Sequence, residues 1–157
     1  MNKIPMTAKG YAKLQSELKL LVNKARPEII AEIAEARSHG DLSENAEYQY
    51  AKEQQSLNEG KIAELETTIA HAEIIDVSKL KGKEIKFGAT VKIKDEQSGE
   101  HSTYQIVGEY ESDIDNKKIS INSPLARSLI GKTKNEIVEV NSPKGTKVYT
   151  VISIKFK

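Results

Sequence analysis

Arg37-Ser38-His39-Gly40-Asp41-Leu42-Ser43-Glu44-Asn45-Ala46-Glu47-Tyr48 lies between two long helical patterns, and the fold is read outward from it. Gly40 suits the left-handed conformation that ends a helix. Asp41 suits the start of the next helix, and Glu44 three positions on gives a capping-box-like spacing. One reading is a well-made helix-helix turn. A second is a pair of carboxylates held at the end of a helical hairpin, away from any core. The two are compatible, because a rigid turn would position the carboxylates.

Before the turn, Thr7 is positioned to cap a first helix, with Gly10 early inside it. Apolar residues then fall at Leu14, Leu18, Val22, Ala25, Ile29, Ile33 and Ala36. This eleven-residue repeat favours a nearly straight or slightly right-handed pairing of helices. Pro27 interrupts the pattern and predicts a kink or a split, because proline removes a helical hydrogen bond. After the turn, helix signals run from about Asn45 to Ala72. The expected apolar stripe there is Ala46, Tyr50, Leu57, Ile62, Leu65, Ile69 and Ala72, weakened by Gln54, Gln55, Asn58 and Gly60. Two such helices predict an antiparallel hairpin over residues 1–76, with an acidic tip at 40–45. At 1.5 Å per residue its arms would be on the order of 40 Å long.

Residues 74–83 read as a linker, broken by Asp76, Ser78 and Gly82. Beyond it the pattern is β-rich. Strands are expected at Val91–Ile93, Tyr104–Val107, Ile119–Ile121, Ile137–Val140 and Val148–Phe156, the last alternating almost perfectly. Turn signals stand at Gly99, Asp115-Asn116 and Pro143-Lys144-Gly145. Ser123 and Pro124 open one short helix that Gly131 ends. The fold class is therefore α+β, with residues 77–157 forming a small antiparallel sheet packed on one short helix.

Composition narrows the function. The chain has no Cys, which excludes thiol catalysis, disulfides and Cys-ligated zinc. It has no Trp, and aromatics are 5%, which argues against a large aromatic-lined pocket. No apolar run approaches the roughly 18 residues of a membrane span. No signal-peptide pattern opens the sequence, so a cytoplasmic protein is expected. The net charge of +1 conceals an asymmetry: residues 1–75 carry a net −3 and residues 76–157 a net +4. That bias is too small for a protein whose dominant grip is on nucleic acid.

No nucleophile-base-acid triad and no Gly-rich phosphate loop is visible. His39, His71 and His101 are scattered, without metal-ligand spacing on one helix face. Asp41 and Glu44 remain. Two carboxylates are a poor cage for Mg²⁺, which is held by carboxylates, waters and substrate phosphates together. Delivered into a site that supplies other oxygens, the same pair could complete a second metal position for phosphodiester chemistry. Arg37 and Lys52 flank the tip, placed either to follow a phosphate backbone or to pair with neighbouring glutamates.

The run His39–Tyr48 resembles the tip of the bacterial Gre transcript-cleavage factors. The likeness extends along the chain. Ile4-Pro5-Met6-Thr7, Arg26-Pro27-Glu28-Ile29-Ile30, Glu53-Gln54-Gln55, Phe87-Gly88-Ala89-Thr90-Val91 and the stretch 122–132 are similar to the GreA type. The resemblance implies a transcription elongation factor whose hairpin enters the secondary channel of bacterial RNA polymerase. It implies a C-terminal domain like FK506-binding proteins that docks at the channel mouth. On this likeness Asp41 and Glu44 are the catalytic carboxylates. They share a Mg²⁺ that is bound only within the polymerase complex, none being bound in isolation, and position the water that cleaves the extruded RNA 3′ end. Arg37 and Lys52 correspond to an RNA-contacting basic patch, where Lys52 departs from the family if arginine is usual. Ser123 and Pro124 correspond to docking residues, although a helix cap and first-turn residue explain them equally well. The factor would be a monomer and no enzyme by itself, activating the polymerase in trans. The DNA-binding function associated with transcription factors is expected on the same ground.

Three other readings compete. A channel-binding regulator would inhibit the polymerase without cleavage, although the Asp41/Glu44 pair argues against it. A prolyl isomerase would rest on fold alone, which is not function. A coiled-coil scaffold would leave tip substitutions silent.

Overall fold

A computed structural model describes residues 3–40 and 45–157. It is α+β, with an N-terminal helical hairpin and a C-terminal curled mixed sheet. The chain divides into two compact units, Tyr11–Ala72 in one and Lys3–Gly10 with Glu73–Lys157 in the other. Residues 3–10 are thus grouped with the sheet, whereas the sequence boundary was drawn at 76/77.

The first arm comprises α1 (Ala8–Leu20), a π-helical turn at Leu21–Ala25 and α2 (Arg26–Arg37). Thr7 caps α1 as expected, its hydroxyl oxygen accepting the Gly10 N–H at 3.1 Å. Pro27 neither splits nor ends the arm. The wider turn precedes it, with the Arg26 N–H bonded to the Leu21 carbonyl, and Pro27 sits in the first turn of α2, where no helical N–H is required. The seven apolar positions expected of this arm are all buried or half-buried.

The second arm, α3 (Ala46–Ala70), runs antiparallel to the first. Asn45 meets Ala36 at one end, and Arg26 and Asn58 meet Glu59 and Leu21 further along. Its buried face differs from the expected stripe. Tyr50 and Leu57 are 61% and 56% exposed and Ala46 is exposed, whereas Ala51, Asn58, Ile62, Leu65 and Thr68 are buried. Asn58 is buried for a polar reason: its Nδ2 donates to the Leu21 carbonyl, at 3.3 Å, inside the π turn.

In the other unit, β1 (Ile4–Thr7) pairs with β2 (Ala72–Ile75), a sheet that the linker assignment over 74–83 had not foreseen. The Glu111 carboxylate accepts the Thr7 N–H and the Gly108 N–H, each at 3.0 Å, and the Thr7 hydroxyl. A Cβ on Gly10 would collide with this carboxylate, which accounts for a glycine early in α1. The main sheet contains β3 (Ala89–Asp95), β4 (His101–Val107), β5 (Lys118–Ser120), β6 (Ile137–Ser142) and β7 (Gly145–Phe156), ordered β5-β4-β3-β7-β6. The sheet is not wholly antiparallel. β4 and β5 run parallel, because residues 108–117 cross back through two short 3₁₀ turns before β5 begins.

The helix α4 (Pro124–Leu129) closes one face of the sheet over Val91, Ile93, Ile106, Val138 and Val151, each at most 2% exposed. On β7 the expected alternation is interrupted. Val91 pairs with Ile154 and Ile93 with Val151, so four residues on β7 oppose three on β3. This bulge leaves Ile152 unpaired and turns both Val151 and Ile154 to the core. Tyr104, Tyr149 and Phe156 also pack against that core, which absorbs aromatics that a proline pocket would need.

Candidate functional site

The hairpin tip is bracketed by a network centred on Asn45. At the end of α2 the Ser38 N–H donates to the Glu35 carbonyl at 3.1 Å, and the His39 N–H to the Ala36 carbonyl at 3.2 Å. Gly40 follows at φ +121°, with no atom within 4 Å of a notional Cβ. Only glycine takes that backbone readily, so the reversal needs this residue. On the other arm Asn45 is the N-cap of α3, its Oδ1 accepting the Tyr48 N–H at 3.0 Å. Its Nδ2 donates at 2.6 Å to the same Ala36 carbonyl. One side chain thereby caps the second helix and ties it to the first.

The capping role read into Asp41 and Glu44 therefore belongs, for α3, to Asn45. Asp41, Leu42, Ser43 and Glu44 lie outside the described residues. On either side of them His39 Nδ1 stands 3.5 Å from Glu47 Oε2, an ion pair when the imidazole is protonated. Glu32, Glu35, Glu47, His39 and Tyr50 line a shallow concavity of about 390 Å³ beside the turn. Among the described residues, no group of three or more His, Cys, Asp or Glu side chains gathers as a metal site.

Arg37 and Lys52 are both exposed, one in the last turn of α2 and the other in the second turn of α3. Lys52 pairs with neither glutamate neighbour; its Nζ donates to Gln55 Oε1 at 3.0 Å. Arg37 forms no ion pair with a described residue. Further along the hairpin Arg26 makes a two-pronged contact with Glu59 at 2.7 and 2.8 Å. The Arg26 hydrogen bonds hold the Glu59 carboxyl below its ordinary value. Ser123 and Pro124 are far from the tip in sequence and take the local roles anticipated for them. Ser123 Oγ accepts the Ala126 N–H at 3.2 Å as cap of α4, and Pro124 occupies the first turn, exposed.

Sequence reasoning missed Asn45 as the staple and Glu111 as the anchor of β1. Asn45 carried a signal, being a strong cap residue at the predicted helix start. Glu111 carried none, because its partner Thr7 is 104 positions away.

Two family models cover nearly the whole chain. "Transcription elongation factor, N-terminal" matches residues 4–74, and "Transcription elongation factor, GreA/GreB, C-term" matches 80–156. The chain belongs to the GreA/GreB family of transcription elongation factors. Transcription elongation factor GreA of Mesorhizobium japonicum is 56% identical over 156 residues, 99% of both chains. Those of Brucella canis and Caulobacter vibrioides are 57% and 55% identical over the same span and share of each chain. Among solved structures, GreA factor homolog 1 of Thermus thermophilus is 26% identical over 98% of this chain and 99% of its own, with a TM-score of 0.45. Among the described residues of this family member, no helix is long and apolar enough to cross a membrane.

Proposed function

We propose that this chain rescues bacterial RNA polymerase that has backtracked, by stimulating hydrolysis of the extruded RNA 3′ end. The carrying observation is the likeness to GreA elongation factors over 99% of the length of both chains. The hairpin enters the secondary channel of the polymerase, and the sheet unit docks at its mouth through the neighbourhood of Ser123 and Pro124. The protein acts as a cytoplasmic monomer and is not itself the nuclease.

Asp41 and Glu44 are the residues that would hold Mg²⁺, and their hard oxygens are the donor type this ion takes. Two carboxylates leave an octahedral shell incomplete, so the remaining oxygens come from polymerase and RNA. When bound there, the ion supplies positive charge to the attacking and leaving oxygens. The carboxylates would also orient the attacking water. Arg37 and Lys52 offer positive charge to the phosphates of the extruded strand. Asn45 ties the two arms together at Ala36, next to the segment that carries these carboxylates.

The test is RNA cleavage in a purified backtracked polymerase complex, across a Mg²⁺ series and with a no-polymerase control. Wild type is expected to cleave only with polymerase. Asp41→Asn and Glu44→Gln are expected to bind polymerase and lose cleavage, with residual activity needing more Mg²⁺. Binding by wild type without cleavage would instead establish an inhibitory channel regulator. Cleavage without polymerase would overturn trans activation.

A further inference from the structure

Among the described residues, the polar side chains buried in the hairpin seam are Asn58 and Thr68. Thr68 satisfies its hydroxyl within its own helix, on the Glu64 carbonyl at 2.9 Å. Asn58 instead crosses to the other arm, its Nδ2 donating at 3.3 Å to the Leu21 carbonyl, 37 positions away in sequence. That carbonyl also accepts the Arg26 N–H that closes the π turn. The seam changes character at this level. Beyond Asn58, α3 buries Ile62 and Leu65. Between Asn45 and Asn58 the one α3 residue buried is Ala51, and the first arm offers half-buried Ile29 and Ile33 with buried Ala36. Large side chains of α3 that could interlock with the first arm are therefore confined to the half away from the tip.

We propose that Asn58 sets the register of the two arms and is thereby a positioning residue for Asp41 and Glu44, a role that rests on the cleavage function proposed above. Apolar burial is non-directional, so a seam of small side chains accepts a slip of one helical turn at little cost. A buried amide does not, because a slipped arm would leave its donor buried without an acceptor. Single buried asparagines fix the register of coiled coils in this way, at the expense of stability rather than for it. Asn45 already ties the arms at Ala36. One tie lets the arms pivot about it; a second, roughly 20 Å further along α3, fixes their alignment. A slip of one turn is about 5.4 Å, and misplacement by far less than that is enough to disable positioned catalytic groups. The Arg26–Glu59 contact lies at the same level, at 2.7 and 2.8 Å, but it is exposed, and exposed ion pairs are screened and separate at small cost. The buried amide is thus the element that specifies the register.

The experiment combines distances across the hairpin with RNA cleavage in a backtracked polymerase complex over a titration of the factor. The chain has no cysteine, so Ala31→Cys and Ser56→Cys, both at exposed positions, take spin labels at those two places alone. With Asn58 in place, the label-to-label distances should form a single narrow distribution. Asn58→Leu keeps a similar volume and leaves the Leu21 carbonyl its Arg26 donor, so its urea midpoint should be unchanged or higher. It should nevertheless broaden the distance distribution and lower the cleavage plateau about tenfold, with the half-maximal factor concentration unchanged. Asn58→Ala, which removes the donor without adding bulk, should broaden the distribution as well. Glu59→Gln, which removes the exposed ion pair, should change neither distances nor cleavage. A narrow distribution in both Asn58 variants would overturn the register assignment, as would an equal effect of Glu59→Gln. A broadened distribution with full cleavage, or a raised half-maximal concentration at an unchanged plateau, would overturn the positioning role. If the protein with Asn58 intact does not stimulate cleavage, the function proposed above falls and the positioning role with it, while the distances still decide the register.

Discussion

The hairpin is held along a seam, and the sheet unit around a closed core. Among the described residues, the hairpin buries Leu14, Ala36, Ala51, Ile62 and Leu65, with two polar residues, Asn58 and Thr68, in the same seam. The sheet unit buries a continuous cluster from Ile85 to Val151 in which Ala89, Val91, Ile106, Ala126, Leu129 and Val151 show no exposure. A seam one residue wide has solvent on both sides, so its neighbours can shift when a side chain is removed. A core enclosed by five strands and a helix cannot, and a missing side chain leaves a void. The same fold therefore contains a part that tolerates loss and a part that does not.

The largest stability effect should come from Leu129→Ala in the closed core, about 2–5 kcal/mol in urea unfolding. A loss below about 1 kcal/mol would break the comparison, since a site that can collapse is what separates small from large losses. Ile62→Ala in the seam should fall at the low end, roughly 2 kcal/mol, and a loss equal to that of Leu129→Ala would erase the distinction. Asn45→Ala should cost about 1–2 kcal/mol, because it removes a cap and leaves the Ala36 carbonyl one donor short. Loss of RNA cleavage by that variant at unchanged polymerase affinity would further tie the staple to tip geometry.

The smallest effects concern surface carboxylates, one in each region. Asp95 is held below the ordinary aspartate value first by the Gln97 N–H, then by the Ser98 N–H and Lys147. Glu59 is held low first by its hydrogen bonds to Arg26. A carboxyl with a depressed folded value stabilises above its unfolded value, and that contribution disappears as pH falls through the folded one. Both regions should therefore lose stability on acidification below about pH 4. Urea midpoints of Asp95→Asn and Glu59→Gln against pH should show this dependence reduced. Raising the salt should weaken the Glu59 effect more than that of Asp95, because exposed ion pairs are screened. Equal salt sensitivity would mean that Lys147, rather than the backbone, governs Asp95.

Legibility followed the same division. Where burial demanded apolar side chains, the pattern was plain: Leu14 to Ala36 in the first arm, and Val91, Ile93 and Ile106 in the sheet. The second arm misled because its seam passes through small and polar residues. Ala51 is buried while its large neighbour Tyr50 faces solvent, and Asn58 is buried because it donates to the Leu21 carbonyl of the π turn. The strand β7 misled because a bulge resets alternation after Val151, and no residue type announces it. β1 and β2 were too short for periodicity, and the parallel pairing of β5 depends on a crossover rather than on the strand itself. At the site, Gly40 and the basic pair were placed correctly on the hairpin, whereas the cap was assigned four residues early. The acidic pair Asp41 and Glu44 lies outside the described residues, and its role is read from its spacing together with the family likeness.

The π turn at Leu21–Ala25 has a consequence for chain length. Such a turn is an α-helix that has accepted one residue more than its period requires. Elsewhere in the arm, deleting a residue would rotate everything beyond it by about 100° and carry half of the seam out of register. Here the loss of exposed Asn23 or Lys24 would relax the wide turn to an ordinary one with Leu14 and Ala36 still on the same side. The segment is thus a splice point, where the deletion of one residue can be absorbed in an otherwise length-locked arm.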